Sequence, residues 1–343
     1  MNRCVHSASV LAVAVFGSGC AAQSPDPAAQ PATKVVQPAG AAPASQPEKK
    51  RLYDESADAK QQIARALKAA KKNNRRVLIQ WGGNWCGWCI KLHELCTRNA
   101  DIKSTLQYEY DVVHIDTGGR DDKNMALAKS YGADITGFPY LTILDADGKP
   151  VVNQGTEPLE LKAEPGKEPV MGHDPRLVLD FLKKHQAPYQ NASEVLDAGM
   201  KQAAQEGKIV FLHFGAPWCG WCHRLEDWMD RPEVASIMSK HFVDVKIDTD
   251  RNVGGKDALA TYAGTDKVGI PWFVLLSADG KPIADAYASD AQGKKSNVGF
   301  PAAPEEIAHF EAMLKKTGKL TASEISSLIE SLRGDKPKDG AGH

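Results

Sequence analysis

The chain has 343 residues, 25% of them charged and 42% hydrophobic, with a formal net charge of -1. That length is enough for two domains with cores of their own. The near-neutral charge gives no reason to expect a nucleic acid or an anionic membrane surface as an electrostatic partner.

The first twenty residues read as an export signal: Asn2-Arg3, an apolar run ending Val10-Leu11-Ala12-Val13-Ala14-Val15-Phe16, then Gly17-Ser18-Gly19-Cys20. The run is shorter than the about 20 apolar residues a membrane-spanning helix needs. Small residues before a cysteine resemble a bacterial lipoprotein lipobox, with Cys20 as the lipidated first residue after cleavage. Gly17 stands where that pattern usually has Leu, which leaves plain signal-peptidase cleavage open; either way Cys4 is removed with the signal. Residues 21–50 are rich in Ala, Pro, Gln and Ser and have almost nothing to bury, so they are expected to form a disordered linker. As polyproline-like chain it would reach roughly 90 Å.

A first unit is expected over residues 51–187. Asp54–Lys72 carries apolar residues at Ile63, Ala66, Leu67 and Ala70, the spacing of an amphipathic helix. Val77-Leu78-Ile79-Gln80-Trp81 reads as a buried strand, and Trp85-Cys86-Gly87-Trp88-Cys89 follows it. Cys89, Leu92, Leu95 and Cys96 then recur at helical spacing. Val112-Val113-His114-Ile115 forms a second strand, Asn124–Tyr131 a helix, and Phe138-Pro139 leads into Tyr140-Leu141-Thr142-Ile143-Leu144. An Asp-Gly turn joins that run to Val151-Val152 as a hairpin. Pro175–His185 is a closing helix, and Ala187-Pro188 breaks the chain.

The same order restarts over residues 188–318. Asn191-Ala192-Ser193-Glu194 has the form of a capping box ahead of a helix. Ile209–Phe214 repeats the buried strand, Trp218-Cys219-Gly220-Trp221-Cys222 repeats the pentapeptide, and Ala303–Lys316 repeats the closing helix. Cys86 and Cys219 are 133 positions apart, while Asp116 and Asp248, Pro139 and Pro271, and Gly148 and Gly280 are each 132 apart. Four landmarks whose offsets agree to within one residue identify an internal duplication. Residues 319–343 supply one more short helix, Thr321–Arg333, and a polar tail.

Cys-x-x-Cys at a helix start carries redox chemistry for a physical reason. The helix N-terminus directs unpaired N–H groups and the positive end of its dipole at the first sulfur, favouring thiolate over thiol. A fall in pKa from about 8.5 to about 7 raises the thiolate fraction at neutral pH from a few per cent to about half. The second cysteine, one turn on, can then close the disulfide.

The order strand–Trp-Cys-x-x-Cys–helix–strand–helix–x-Pro–strand–strand–helix resembles the thioredoxin superfamily over roughly 54–186 and 190–317, most closely bacterial members of exported type. The resemblance implies an α/β fold of two tandem thioredoxin-like domains, each a central mixed sheet flanked by helices. It implies thiol–disulfide exchange with protein thiols or disulfides, using Cys86 and Cys219 as attacking thiolates and Cys89 and Cys222 as resolving thiols, with no cofactor. By the same resemblance Pro139 and Pro271 should be cis, leaving the backbone of Phe138 and Ile270 free to pair with an extended substrate. Trp85 and Trp218 precede the pairs; Trp88 and Trp221, inside them, are candidates for substrate contact. Thioredoxins place a buried Asp six residues before the first cysteine, whereas Gln80 and His213 occupy those positions here. Gln80 cannot titrate and a histidine can, so the second pair is expected to be the better acid–base site.

Two Cys-x-x-Cys pairs also suggest zinc, but zinc pairs lie close in sequence and these sit in separate repeats. Copper(I) on one pair is chemically reasonable. Cys96 corresponds to Met229 and reads as core filling, as do His93 and His114 as structural histidines. The glycine-rich stretches Thr117–Arg120 and Asn252–Lys256 lack a phosphate-loop pattern. The expected protein is therefore an envelope thiol–disulfide oxidoreductase, leaning to reductase or isomerase, held to the membrane if Cys20 is lipidated and served by a redox partner. The rival readings are a tethered binding platform whose disulfides are structural, and a copper(I) carrier.

Overall fold

The computed structural model describes residues 51–119, 123–162, 166, 170–289 and 292–335. The signal, Cys20 and the linker lie outside these residues, as does the polar tail beyond Asp335.

The first half runs α1 (Ala59–Asn73), β1 (Arg76–Gly82), α2 (Gly87–Arg98), α3 (Ala100–Glu109), β2 (Tyr110–Asp116), α4 (Met125–Ser130), β3 (Tyr140–Leu144), β4 (Pro150–Gly155), a 3-10 turn at Glu157–Leu159, and α5 (Pro175–Lys184). The first helix starts five residues later than its apolar spacing suggests because Asp58 caps it, accepting from the backbone N–H groups of Lys60 and Gln61. Helix α3 was not anticipated from periodicity; its signal is local, the Asn99 side chain accepting from Ile102 N. The sheet order is β2-β1-β3-β4, with β1 parallel to β2 and antiparallel to β3. Strand β1 is buried almost throughout because both its faces are covered. Ile63, Ala70, Val77, Ile79 and Val113 pack on the α1 face; Leu78, Leu92, Ile102, Ile143 and Phe181 pack on the other.

The second half repeats this plan: α6 (Ala192–Glu206), β5 (Ile209–Gly215), α7 (Gly220–Met229), α8 (Pro232–His241), β6 (Phe242–Asp248), α9 (Gly255–Ala263), β7 (Trp272–Leu276) and β8 (Pro282–Asp285). A short hairpin, β9 (Tyr287–Ser289) and β10 (Lys295–Asn297), precedes α10 (Pro304–Lys316) and α11 (Ala322–Arg333). The second sheet has the order β6-β5-β7-β8, the same as the first. Asn191 stands at the N-cap of α6, but its side chain makes no capping bond; its backbone pairs instead with Val253. Helix α11 is more than an appendage, since Ile325, Leu328, Ile329 and Leu332 lie in the same core as Trp228, Met238 and Phe310. The described residues fall in one compact unit, and the end of α1 reaches edge strand β6 of the second sheet.

Candidate redox sites

In each half the chain leaves the central strand, turns, and enters a helix on its first cysteine. Cys86 is the N-cap of α2 and Cys219 the N-cap of α7, and each sulfur accepts the backbone N–H of the second cysteine at 3.1 Å. Cys86 is disulfide-bonded to Cys89 and Cys219 to Cys222, with Cα atoms 5.2 Å apart in both. The first cysteines retain 6% and 4% exposure, the second 0% and 1%. The first cysteine of each pair is therefore the more accessible one.

Pro139 and Pro271 follow cis peptide bonds at the start of β3 and β7. The Ile270 carbonyl oxygen lies 3.5 Å from Cys219 Sγ, and Phe138 packs against the first pair. The preceding tryptophans are half out of the protein, Trp85 edge-on to Phe138 and Trp218 donating its indole N–H to Asp250 at 2.8 Å. The inter-cysteine tryptophans differ. Trp221 is 53% exposed and stacks on Phe300, with the Arg224 guanidinium 5.1 Å from its ring centre. Trp88 is only partly exposed, in a T-shaped contact with the buried His173.

The two sites differ most beneath the second sulfur. A Cβ built on Gly82 would meet both Cys89 Sγ and the Tyr53 hydroxyl, so both groups crowd the same spot. Tyr53 is fully buried, and Gln80 Nε2 donates to its hydroxyl at 2.8 Å and to the Cys89 carbonyl at 3.2 Å. Burial raises the Tyr53 pKa, so the group stays protonated and neutral. His114 stands edge-on to Tyr53 and to His93, and burial pushes it down to about 4. The only charge acting on Tyr53 among the described residues is the buried Asp116 carboxylate, which raises its pKa further.

Under Cys222 the surroundings are ionic. A Cβ on Gly215 would lie 3.3 Å from Cys222 Sγ and 3.8 Å from Lys246 Cε. Lys246 pairs with the buried Glu226 at 2.5 Å, and His213 Nε2 lies 2.9 Å from Asp244 Oδ1. Burial pushes Glu226 upward, but Lys246 and His213 outweigh it and hold the carboxyl below the usual range. Asp244 is likewise held low against its desolvation by His213 and then Lys72.

Residues 63–161 match the family model described as "Thioredoxin-like domain". Joined to the repeated sheet order and the repeated cysteine cap, that match decides the fold. Each half is a thioredoxin-like fold. Residues 179–333 match a second family model, Thioredox_DsbH, described as "Protein of unknown function, DUF255"; its span takes in α11. Among curated relatives, the chain is 28% identical over 196 residues to protein disulfide-isomerase erp38 of Neurospora crassa, covering 54% of this chain and 47% of the relative. It is 29% identical over 103 residues to the disulfide bond reductase DsbH of Chlamydia pneumoniae, covering 28% and 61%. The chain thus spans about half to three fifths of the lengths of these relatives. A solved structure titled as a disulphide isomerase from Xylella fastidiosa Temecula1 is 29% identical and covers 40% of this chain and 97% of its own, with a TM-score of 0.33.

Of the residues singled out from the sequence, Gln80 reaches the Cys89 carbonyl and His213 reaches Asp244, while Phe138 and Ile270, before the two prolines, lie against the first and second cysteine pairs. Sequence reasoning missed Tyr53, which lies ahead of the first helix and outside any periodic pattern. It also missed Asp244, Lys246 and Glu226, whose polar character on a strand and a helix otherwise reads as a solvated face. Cys96 is partly buried in the packing of α2, and burial pushes its thiol up to about 12, so it fills the core as its spacing suggested. Among the described residues no group of three or more His, Cys, Asp or Glu is placed to hold a metal ion. No helix of the described residues is long and apolar enough to cross a membrane.

Proposed function

We propose that this chain is a thiol–disulfide oxidoreductase of the bacterial cell envelope, exchanging disulfides with protein substrates through both CGWC pairs in the direction of reduction or isomerisation. The observation that carries the reading is the same in both halves: an attackable first sulfur on a helix N-terminus, bonded to a second sulfur sealed inside. Two of the relatives, a protein disulfide-isomerase and a disulfide bond reductase, agree with it.

In the proposed reaction the Cys86 or Cys219 thiolate attacks a substrate disulfide, forming a mixed disulfide and releasing one substrate sulfur as thiolate. The second cysteine, once deprotonated, attacks the first and expels the other substrate sulfur. The substrate leaves as a dithiol and the site as a disulfide, which a redox partner must reduce. An extended substrate would pair with the free backbone beside Pro139 or Pro271, and the exposed Trp221 offers an apolar contact. Gly between the cysteines supports the reducing direction; potentials across such proteins span about −270 to −120 mV. The export signal, with Cys20 as lipid attachment point, supports an envelope location tethered to the membrane.

The test is insulin reduction driven by dithiothreitol, run on the full chain and on Cys86→Ser/Cys89→Ser and Cys219→Ser/Cys222→Ser variants. Turnover above background by either single-site protein supports the proposal. Background rates for all three proteins would favour the binding platform instead.

A further inference from the structure

The charged cluster beneath Cys222 is not built from the second half alone. Lys72, in the last turn of α1, pairs with Asp244 Oδ2 at 3.5 Å, on the carboxylate whose other oxygen faces His213. The neighbouring Asn73 accepts from Lys246 Nζ at 2.6 Å through its side-chain oxygen, fixing the ammonium that also pairs with Glu226. In the first half nothing equivalent exists: Gln80 stands at the position of His213, Val112 at that of Asp244 and His114 at that of Lys246. The first half thus lends polar groups to the second site, while beneath its own second cysteine stand the uncharged Gln80 and Tyr53.

We propose that α1 of the first half is part of the proton-handling apparatus of the second CGWC pair, with Lys72 and Asn73 as positioning residues that act through Asp244 and Lys246 on His213. The inference rests on the function proposed above. When Cys222 resolves a mixed disulfide it must first give up its proton, and His213, held 2.9 Å from Asp244, is the imidazole of this cluster that would take it. The Cys222 thiolate then attacks Cys219 Sγ, the bond from Cys219 to the substrate sulfur breaks, and the substrate leaves as thiolate. The charged groups facing His213 and Cys222 come from every element around them: Asp244 and Lys246 from β6, Glu226 from α7, and Lys72 from α1. Asp230, Asp111 and Asp248 lie one step further out, Asp230 within 3.9 Å of Lys72 and the other two within the field of Lys246. Lys72 offsets the negative charge of Asp244. Without it Asp244 favours protonated His213 more strongly, and the base is available only at higher pH.

The test uses the full chain carrying Cys86→Ser and Cys89→Ser, so that only the second pair reacts. Two readouts are followed against pH: the rate of mixed-disulfide resolution, and thiolate absorbance of the reduced pair without substrate. Lys72→Met is expected to move the acid limb of the resolution rate upward by about half a pH unit or more, and to displace the thiolate titration. Lys72→Arg should restore both. Lys68→Met, which touches only Asp230 in this region at 3.4 Å, serves as the surface-charge control and should change neither. Asn73→Ala provides a second probe should Lys72→Met fold poorly. Profiles of Lys72→Met and Asn73→Ala that superimpose on the parent would overturn the inference. Loss of all turnover in the parent with a displaced thiolate titration in Lys72→Met would instead overturn the proposed function and leave the coupling standing.

Discussion

Arg251 of the second half and Glu109 of the first form a buried ion pair, each side chain 4% exposed, with Arg251 Nη2 2.9 Å from Glu109 Oε2. The guanidinium also donates to the carbonyl oxygens of Asn73 and Asn74 at 2.8 and 2.9 Å, closing the end of α1. Tyr189 donates to the same glutamate at 3.0 Å, and Arg251 lies over its ring. The loop that holds Arg251 also holds Asp250, which receives the Trp218 indole N–H and the Tyr108 hydroxyl. The clamp between the halves and the rim of the second site are one loop.

Removing one partner of a buried pair leaves an uncompensated charge, which costs about 3–5 kcal/mol. Glu109→Gln and Arg251→Met are each expected to lower the unfolding free energy by an amount in that range. The double variant should lose less than the sum of the two, because it leaves no lone charge. Guanidinium titrations followed by tryptophan fluorescence measure all three; strictly additive losses would contradict a coupled pair.

Tyr53 is expected to matter to the first site only. Tyr53→Phe removes the acceptor for Gln80 Nε2, leaving a buried donor unpaired at a cost of about 1–3 kcal/mol. It also takes a neutral hydroxyl away from the side of Cys89. Mixed-disulfide resolution at Cys89 should slow in the Cys219→Ser/Cys222→Ser background and stay unchanged at Cys222 in the reciprocal one. Stopped-flow measurements of both backgrounds decide the matter.

Folding should weaken as the solution is acidified below neutrality, and His114 identifies one cause. Its folded pKa is depressed to about 4 from an unfolded 6.5, so the unfolded chain binds the proton first. The stabilisation from keeping His114 neutral is complete above about pH 6.5 and drains away as pH falls through 4. A shift of that size corresponds to roughly 3 kcal/mol. His114→Phe is expected to flatten the stability profile between those values, as read from urea midpoints at half-unit steps. His173, also pushed down to about 4 by burial, contributes in the same direction and remains in that variant.

Cys96 should be unreactive in the folded, reduced protein. With its thiol at about 12, the thiolate fraction at pH 8 is about one in ten thousand. Iodoacetamide at that pH is expected to label Cys86 and Cys219 first and Cys96 only after unfolding. Peptide mapping by mass spectrometry reads the order directly, and early labelling of Cys96 would contradict its place in the α2 packing.

The inter-cysteine tryptophans are expected to contribute unequally to substrate affinity. Trp221 is open and held in a stack with Phe300 and Arg224, the latter anchored by Asp335 at 2.8 Å, whereas Trp88 is partly covered by His173. Trp221→Ala should weaken binding of an apolar peptide severalfold more than Trp88→Ala in matched single-site proteins. Fluorescence anisotropy of a labelled peptide measures the difference.

The duplication, the strands and the helix-start cysteines were legible in the sequence because each rests on near neighbours. Apolar periodicity, Asp-Gly turns and a Cys-x-x-Cys spacing are local physics, as are the prolines before β3 and β7. Helices α3 and α8 escaped periodicity because their apolar faces are short, and only the Asn99 cap and Pro232 at the first helical position mark them. Gln80 and His213 were visible as departures, but their consequences were not. What a polar residue does beneath a buried sulfur depends on the partners that the fold brings to it. Tyr53 reaches Gln80 across 27 positions and Lys246 reaches Asn73 across 173. Such contacts form where two rigid surfaces happen to meet, and their Coulomb energy depends on a separation and a burial that no run of neighbouring residues encodes. The sequence by itself determined two Cys-x-x-Cys motifs of one plan with unlike polar residues around them; the docking of α1 against β6 decided that Lys72 and Asn73 stand beside the second.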